Sequence, residues 1–230
     1  MHLAVIIAAG GTGTRMRLGR SKQLAELAGR PVLAHTLAIF ESHAGVSEIV
    51  VAIDSGDTGR CEEVVERFGF AKVSAVVAGA GSRAGSVKNA LAALGPAADT
   101  VAVHDGARPL FPGELLAAGL GELGGESIDG VVFGVPVIDT IKEVDAAGAV
   151  RATPDRSRLW LAQTPQIFRR QVLERAYAQP PEVLAGATDD AQLVELAGGH
   201  VRMVLGSHRN IKLTTPTDMI VAEAILGPRP

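Results

Sequence analysis

The chain begins with an apolar run that leads directly into a group of glycines. Residues 3–9 read LAVIIAA, and Gly10, Gly11 and Gly13 follow. An uninterrupted apolar run of this length predicts a strand buried on both faces, as in a parallel sheet. Glycines after such a strand let an anion approach the bare backbone N–H groups of the turn. Because open α/β folds bind ligands at the carboxyl ends of their strands, this start predicts an anion site at that edge.

Four cations lie shortly after the glycines, at Arg15, Arg17, Arg20 and Lys22. Fixed positive charges in this position match an anion that carries several negative charges. The alternative is a flexible turn followed by a solvated basic face. Turn glycines alone are common, but cations spaced behind them are less so, and we therefore favour the anion site.

Strand-like and helix-like patterns alternate along the rest of the chain. The predicted strands lie at residues 3–9, 48–54, 73–78, 100–103, 130–135 and 201–205. The predicted helices lie at residues 31–41, 58–68, 114–123, 169–178, 189–197 and 216–226, and Ser82 is expected to cap one more. This alternation predicts an α/β fold with a mostly parallel sheet flanked by helices.

Residues 136–159 break this alternation. Their partial period of two around an Ala-Ala-Gly turn predicts two extended strands that form an arm outside the main sheet. A two-stranded arm is barely stable in water by itself, so we expect it to pack on a second subunit. The predicted organisation is a single domain over residues 1–230 with a β-arm at about 136–159.

Composition excludes several classes of protein. The net charge of −3 argues against general nucleic-acid binding, which needs a basic surface. No apolar run approaches the length that spans a membrane. The single cysteine, Cys61, cannot form an internal disulfide, which favours a reducing compartment. We therefore expect a soluble, cytoplasmic protein whose local cations serve a small anionic ligand.

A second turn of small residues follows the strand at residues 73–78. It reads GAGSRAGS over residues 79–86 and leads into the helix that Ser82 is expected to cap. Arg83 and Ser86 are available there to contact a ligand. This turn is the second candidate for the anion-binding edge.

The segment HDGARP comes directly after the strand at residues 100–103. Asp105 stands where a Mg²⁺ ligand is expected, because that ion is held by one or two carboxylates together with phosphate and water. The alternative is that Asp105 only forms a turn before Gly106. We assign His104 to packing or hydrogen bonding rather than to metal binding.

A fourth group of polar residues lies on the arm and after it. Its members are Asp139, Thr140, Lys142, Asp155, Arg156, Thr164, Thr188, Asp189 and Lys212. Individually they are typical of an ordinary surface, and only the order of the motifs that contain them carries information.

Taken in order, the motifs resemble those of the 2-C-methyl-D-erythritol 4-phosphate cytidylyltransferases. The matching segments are AAGGTGTRM with SKQ, SRAGSV, VHDGARP, PVIDTIK, TPDRSRLW, QTPQIF, ATDDA and NIKLTTPTD, and they extend from Val5 to about Ala222. Each motif is weak alone, but the ordered set is specific. The resemblance implies a nucleotide-binding (Rossmann-like), mostly parallel α/β sheet, a homodimer interlocked by the arm, and the substrates CTP and 2-C-methyl-D-erythritol 4-phosphate.

The resemblance also implies roles for individual residues. CTP would be held by the backbone around Ala8, Ala9, Gly10 and Gly13 and by the turn that contains Ala80, Gly81, Arg83 and Ser86. Arg15 and Lys22 would stabilise the transition state, and Asp105 would hold Mg²⁺. Arg156 and Lys212 would position the methylerythritol phosphate, helped by Arg108, Thr140, Thr164 and Thr188. In the family, Thr140, Arg156 and Thr164 reach a site that the other subunit completes.

Three positions depart from the family pattern. Two residues, Gly11 and Thr12, separate Gly10 from Gly13, where the pattern more often has one. Ser21 replaces the proline that usually precedes the lysine, which predicts a less rigid loop. Ala80 stands where glycine is frequent, a change that costs nothing if the φ of Ala80 is negative.

Three alternative functions remain at this point. Ribitol-5-phosphate cytidylyltransferases share the glycine loop, but HDGARP and DRSRLW are closer to the methylerythritol enzymes. A nicotinamide dehydrogenase would need G-x-G-x-x-G and an acidic residue about twenty positions on, and Asp54 is too far away. A non-catalytic nucleotide-binding module would need neither Arg15, Lys22 nor Asp105.

Overall fold

A computed structural model describes residues 2–10, 22–125 and 127–227 of the chain. Its strands are β1 (Leu3–Ala8), β2 (Glu26–Leu27), β3 (Arg30–Pro31), β4 (Val46–Ile53), β5 (Val73–Ala78), β6 (Thr100–Asp105), β7 (Gly130–Pro136), β8 (Glu143–Val144), β9 (Val150–Ala152), β10 (Trp160–Arg169) and β11 (Val201–Leu205). Its helices are α1 (Val32–Glu41), α2 (Thr58–Phe68), α3 (Arg83–Ala93), α4 (Leu115–Leu123), α5 (Arg170–Tyr177), α6 (Pro181–Gly186), α7 (Asp190–Leu196) and α8 (Pro216–Leu226).

Seven strands form one sheet in the order β11-β7-β10-β6-β1-β4-β5. All neighbours in it are parallel except β10, which runs antiparallel to both β6 and β7. The predicted class, a mostly parallel α/β sheet flanked by helices, is confirmed. Because β1 lies between β4 and β6 and is parallel to both, the carboxyl ends of these three strands meet at one edge.

Strand β1 is buried on both faces, as its apolar run predicts. Val5 and Ile7 belong to the hydrophobic core on one side of the sheet, and Ala4 and Ile6 to the core on the other side. Helix α3 packs on the second core through Val87 and its neighbours at helical spacing. Two packed layers of helix thus fix the strand that leads into the glycine loop.

The observed elements differ from the predicted ones in a few places. Strand β10 and the short helix α6 were not predicted. Pro31 lies at the N-cap of α1 rather than in its first turn. In the arm, the paired segments β8 and β9 are much shorter than the predicted extended strands. Within the described ranges, no helix combines the length and apolarity needed to cross a bilayer.

Candidate active site

The glycine turns that follow β1 and β5 meet at Ser86. A Cβ atom at Gly79 would lie 2.9 Å from Ser86 Oγ, and one at Gly10 would lie 3.4 Å from the same atom. Ser86 Oγ donates to the Ser82 carbonyl at 2.8 Å and accepts from the Ala80 N–H at 3.2 Å. The close approach explains the glycine at position 79, where a side chain would displace the buried serine.

The second turn contains the expected conformations. Gly81 has φ +70°, which favours glycine, whereas Ala28 is the one non-glycine residue with positive φ in the described part of the chain. Ala80 therefore has a negative φ, and its substitution for glycine brings no strain. Ser82 caps α3 by accepting from the Gly85 N–H at 3.0 Å, as predicted.

The first turn is described only in part. Ala8, Ala9 and Gly10 lie at the carboxyl end of β1, and Gly10 is exposed. Lys22 begins a short 3-10 helix that ends at Leu24. The predicted site residues Gly13 and Arg15 lie outside the described residues, as do Thr12 and Ser21 from the family comparison.

Asp105, the last residue of β6, is the centre of a charged cluster. Three cations contact its carboxylate: Arg83 Nε lies 3.3 Å from Oδ1, Lys212 Nζ lies 2.8 Å from Oδ2, and Arg108 Nε lies 3.4 Å from Oδ2. The Asp105 side chain is 8% exposed, so these charges interact in a largely water-excluded setting. Asp105 thus does much more than form the turn before Gly106.

The pKa values of the cluster follow from this arrangement. Burial alone would raise the pKa of Asp105, but Arg83, Lys212 and Arg108 outweigh it and hold this pKa well below its ordinary value. Burial would likewise lower the pKa of Arg83, but the carboxylates of Asp190 and Asp105 raise it. Burial, aided by the like charge of Arg83, lowers the pKa of Arg108. Asp105 is therefore fully ionised near neutral pH.

A cleft of about 270 Å³ opens on this cluster. Its lining residues are Arg83, Asp105, Arg108, Ala162, Gln163, Thr164, Gln166, Thr188, Asp189 and Lys212. The cleft thus brings together six residues that were expected to have a role in the site: Arg83, Asp105, Arg108, Thr164, Thr188 and Lys212. Thr140 and Arg156 are not among its lining residues; they are exposed on the arm, where Arg156 donates to the Ile138 carbonyl at 2.6 Å.

A larger groove, of about 910 Å³, lies at the opposite edge of the sheet, where β6 begins and α5 starts. Arg169 and Arg170 line it, but both already donate to backbone carbonyls, among them those of Ile128 and Gly95. Parallel sheets bind ligands at the carboxyl ends of their strands. Chemistry therefore points to the smaller cleft beside Asp105.

The sequence did not reveal that His104 contacts two residues that line the cleft, Arg108 and Thr164. His104 is fully buried and lies against the rings of Phe40 and Phe111. Its Nε2 is 3.0 Å from the Arg108 carbonyl, and its Nδ1 is 3.1 Å from Thr164 Oγ1. Thr164 Oγ1 also accepts from the Asp105 N–H at 2.9 Å. Because a carbonyl only accepts, we assign the proton of the neutral ring to Nε2.

His104 should make stability depend on pH. Burial lowers its pKa from 6.5 to about 4. Between these values the unfolded chain binds a proton that the folded chain does not, so acid favours unfolding. From this group alone the free energy of unfolding should fall by about 2 kcal/mol between pH 7 and pH 5. Urea unfolding at both pH values measures it.

His104→Gln should reduce that difference, and the same substitution at the exposed His208 should leave it unchanged. An equal difference in wild type and His104→Gln would contradict the assignment. The ordinary pKa of Asp105 is 3.8, and its pKa in the folded chain is lower. Below pH 3.8 the carboxylate is therefore protonated in the unfolded chain before the folded one, and the free energy of unfolding should fall further.

Asn210 is a second residue whose role in the site was not predicted from the sequence. It is fully buried; its amide donates to the Thr164 carbonyl at 2.8 Å and to Gln163 Oε1 at 3.2 Å. Its backbone carbonyl accepts from Arg108 Nη1 at 2.8 Å. Asn210 thereby fixes β10 and Arg108 to the loop that carries Lys212. The only signal in the sequence was its place in the NIK motif.

The chain is similar to known proteins over almost its whole length. Residues 3–228 match the family model for 2-C-methyl-D-erythritol 4-phosphate cytidylyltransferase. The enzyme of that name from Alkaliphilus metalliredigens is 43% identical over 228 residues, which cover 99% of this chain and 94% of the relative. The one from Syntrophotalea carbinolica is 44% identical over 228 residues, covering 98% and 97%.

The fold is shared as well. The crystal structure of 4-diphosphocytidyl-2C-methyl-D-erythritol synthase from Anaerococcus prevotii matches with a TM-score of 0.84 at 29% identity, covering 99% of this chain and 96% of that one. The resemblance drawn from the motifs is confirmed, and the chain belongs to the 2-C-methyl-D-erythritol 4-phosphate cytidylyltransferase family.

Proposed function

We propose that this chain transfers the cytidylyl group of CTP to 2-C-methyl-D-erythritol 4-phosphate. The products are 4-diphosphocytidyl-2-C-methyl-D-erythritol and pyrophosphate, in the non-mevalonate route to isoprenoid precursors. The observation that carries the proposal is the place of the Asp105 cluster: in the β1–β6 register, Asp105 pairs with Ala8, the last residue of β1, two positions before Gly10. A triphosphate held by the turn would therefore lie beside this cluster of cations.

The reaction requires two anions to approach each other. A phosphate oxygen of the alcohol phosphate attacks the α-phosphorus of CTP, and the bond to the pyrophosphate leaving group breaks in line. The protein contributes position and fixed positive charge, and no covalent nucleophile is needed. Arg15 and Lys22 would stabilise the charge on the α-phosphoryl oxygens.

Each substrate would have its own part of the site. CTP would lie against the backbone of Ala8, Ala9, Gly10 and Gly13 and the turn of Ala80, Gly81, Arg83 and Ser86. The alcohol phosphate would lie in the cleft, bound by Lys212 and Arg108 with Thr164 and Thr188. Thr140 and Arg156 would reach the cleft of a second subunit from the exposed arm.

The residues present fit a Mg²⁺ ion that arrives with the triphosphate. Asp105 is ionised, and from the described residues its Oδ1 accepts one donor, Arg83 Nε, which leaves a lone pair for a metal. One carboxylate plus substrate phosphates is a usual magnesium environment. Asp105 would hold the ion, which when bound neutralises phosphate charge. In the described ranges no group of three His, Cys, Asp or Glu side chains offers a metal site formed by protein alone.

We further propose a homodimer formed through the arm. Large apolar side chains are exposed on the arm and where β10 begins: Ile138, Ile141, Val144, Val150, Trp160 and Leu161. Several large apolar side chains exposed on one short segment are typical of a protein interface. A second subunit would cover this surface and bring its Arg156 to the cleft.

Val150→Asp should therefore convert the dimer into a monomer, because a charge would be buried in an apolar interface. Val150 is 58% exposed in the single chain, and Ile220, 68% exposed on α8, offers a matched control. Light scattering after size exclusion should give about twice 23.7 kDa for wild type and Ile220→Asp. A monomeric wild type would contradict the arm's proposed role.

Pyrophosphate release tests the activity. We expect release with CTP, Mg²⁺ and 2-C-methyl-D-erythritol 4-phosphate, and little with ribitol 5-phosphate. Faster turnover of the ribitol substrate would favour the ribitol-5-phosphate cytidylyltransferase alternative. CTP binding without release of pyrophosphate would instead favour a non-catalytic nucleotide-binding module.

We also propose a cytoplasmic location, because the free, buried Cys61 is compatible with a reducing compartment.

A further inference from the structure

A buried carboxylate that does not line the cleft lies directly behind it. Asp190, in the first turn of α7, is fully buried and binds two side chains from other helices. Its Oδ1 accepts from the Tyr177 hydroxyl of α5 at 2.5 Å, and its Oδ2 accepts from Arg83 Nη2 of α3 at 2.8 Å. Tyr177 is 2% exposed. Three helices are thus joined by one carboxylate.

Arg83 is held between two carboxylates. Its Nη2 faces Asp190 and its Nε faces Asp105 at 3.3 Å, so two different nitrogens of one planar guanidinium are fixed. A guanidinium has donors in a rigid fork, so binding at one side determines where the other donors point. Asp190 thereby determines which donor Arg83 presents to Asp105 in the cleft.

The start of α7, which carries Asp190, is itself held by hydrogen bonds to the sheet. Gln166 of β10 donates to Asp189 Oδ2 at 2.8 Å and accepts from the Ala191 N–H at 2.9 Å. The start of α7 is therefore bound to the sheet on both sides of Asp190. A carboxylate fixed in this way can hold Arg83 in one position as substrates enter and leave.

We propose that Asp190, supported by Tyr177, is a positioning residue for the transfer reaction: it fixes Arg83 and, through Arg83, the carboxylate of Asp105. Neither Asp190 nor Tyr177 lines the cleft, so both act through other residues. The inference rests on the proposed cytidylyl transfer. It adds that the Arg83 side chain joins the proposed nucleotide-binding turn before α3 to the start of α7, which follows Thr188.

Kinetics of four variants test the role. Asp190→Asn should lower kcat by ~10- to 100-fold, since an amide holds the guanidinium far less strongly. Tyr177→Phe should lower it only a few-fold, because the charge pair remains. In an Arg83→Gln background, Asp190→Asn should cost no more than about twofold further, because Arg83 transmits its effect. Asp99→Asn is the control. Asp99 also accepts from a hydroxyl, that of Thr100, but it lies at the amino end of β6, so this substitution should leave kcat unchanged.

A full loss from Asp190→Asn in the Arg83→Gln background would overturn the proposal and assign Asp190 a purely structural role. So would a folded Asp190→Asn enzyme with wild-type kcat. If Asp190→Asn does not fold, Tyr177→Phe decides: a few-fold loss in kcat with unchanged KM for both substrates supports the role, and wild-type kcat overturns it.

A spectroscopic readout separates this inference from the activity itself. Tyr177 is the only tyrosine in the sequence, so its hydroxyl proton can be assigned without ambiguity. We expect a slowly exchanging, downfield proton resonance that is retained in Arg83→Gln and lost in Asp190→Asn. If this resonance is absent from the wild type, the proposed hydrogen bond between Tyr177 and Asp190, and with it the positioning role, would be overturned. An inactive wild type that keeps this resonance would instead overturn the proposed activity.

Discussion

Asp105→Asn is expected to lower kcat/KM for pyrophosphate release by about 1000-fold, which is about 4 kcal/mol of transition-state stabilisation. Arg83, Arg108 and Lys212 all bind this carboxylate. An amide would remove the counter-charge that Arg108 and Lys212 share and would leave Arg83 paired with Asp190 alone, so the donors would no longer be aimed at one point. It would also be a poorer ligand for a divalent cation.

The same substitution should destabilise the fold by about 3 kcal/mol, because removing one partner leaves buried charges unpaired. Urea unfolding at pH 7 measures this, and initial rates at saturating CTP measure the catalytic loss. Asp129→Asn is a suitable control: Asp129 accepts from the His200 N–H at 2.9 Å, next to the amino ends of β7 and β11. A kcat/KM within tenfold of wild type would remove Asp105 from the site.

The second large effect is expected for the cations of the glycine loop. Arg15→Ala and Lys22→Ala should each lower kcat by roughly 100- to 1000-fold, while KM for either substrate changes little. The reason is that in the proposed mechanism their charges would act mainly on the α-phosphoryl oxygens in the transition state, and one well-aimed donor contributes about 3–4 kcal/mol.

Arg30→Ala serves as the control for losing a cation nearby in the chain. The guanidinium of Arg30 lies 5.6 Å from the centre of the Phe68 ring and belongs to the packing around α2. Steady-state rates for the three variants under identical conditions give the comparison. Near-normal turnover of both Arg15→Ala and Lys22→Ala would reject their proposed role.

The sequence was informative where the relevant signal is local. Gly79, Ser82 and Ser86 act within a few positions of one another, so turn and capping rules found them. Asp105 could be placed because it directly follows an apolar strand. The predicted start of the last helix at residue 216 agrees with α8, where Thr215 and Asp218 form a complete capping box in the structure.

The sequence was uninformative where partners are distant or where a strand is polar. Strand β10 was missed because Gln163, Thr164 and Gln166 interrupt its apolar pattern, although these side chains form the cleft wall. Arg83 and Asp190 are 107 positions apart, and nothing in their local sequence pairs them. Such contacts follow from the strand order, which no periodicity reveals.

One crystal structure would test the central claim most directly: the protein with a non-hydrolysable CTP analogue, Mg²⁺ and 2-C-methyl-D-erythritol 4-phosphate. The account predicts the triphosphate against the turns at Gly10 and Gly79, Arg15 and Lys22 directed at the α-phosphate, a metal ion on Asp105, and the alcohol phosphate beside Lys212. A nucleotide bound at another edge of the sheet, or Arg15 and Lys22 directed away from it, would contradict the account.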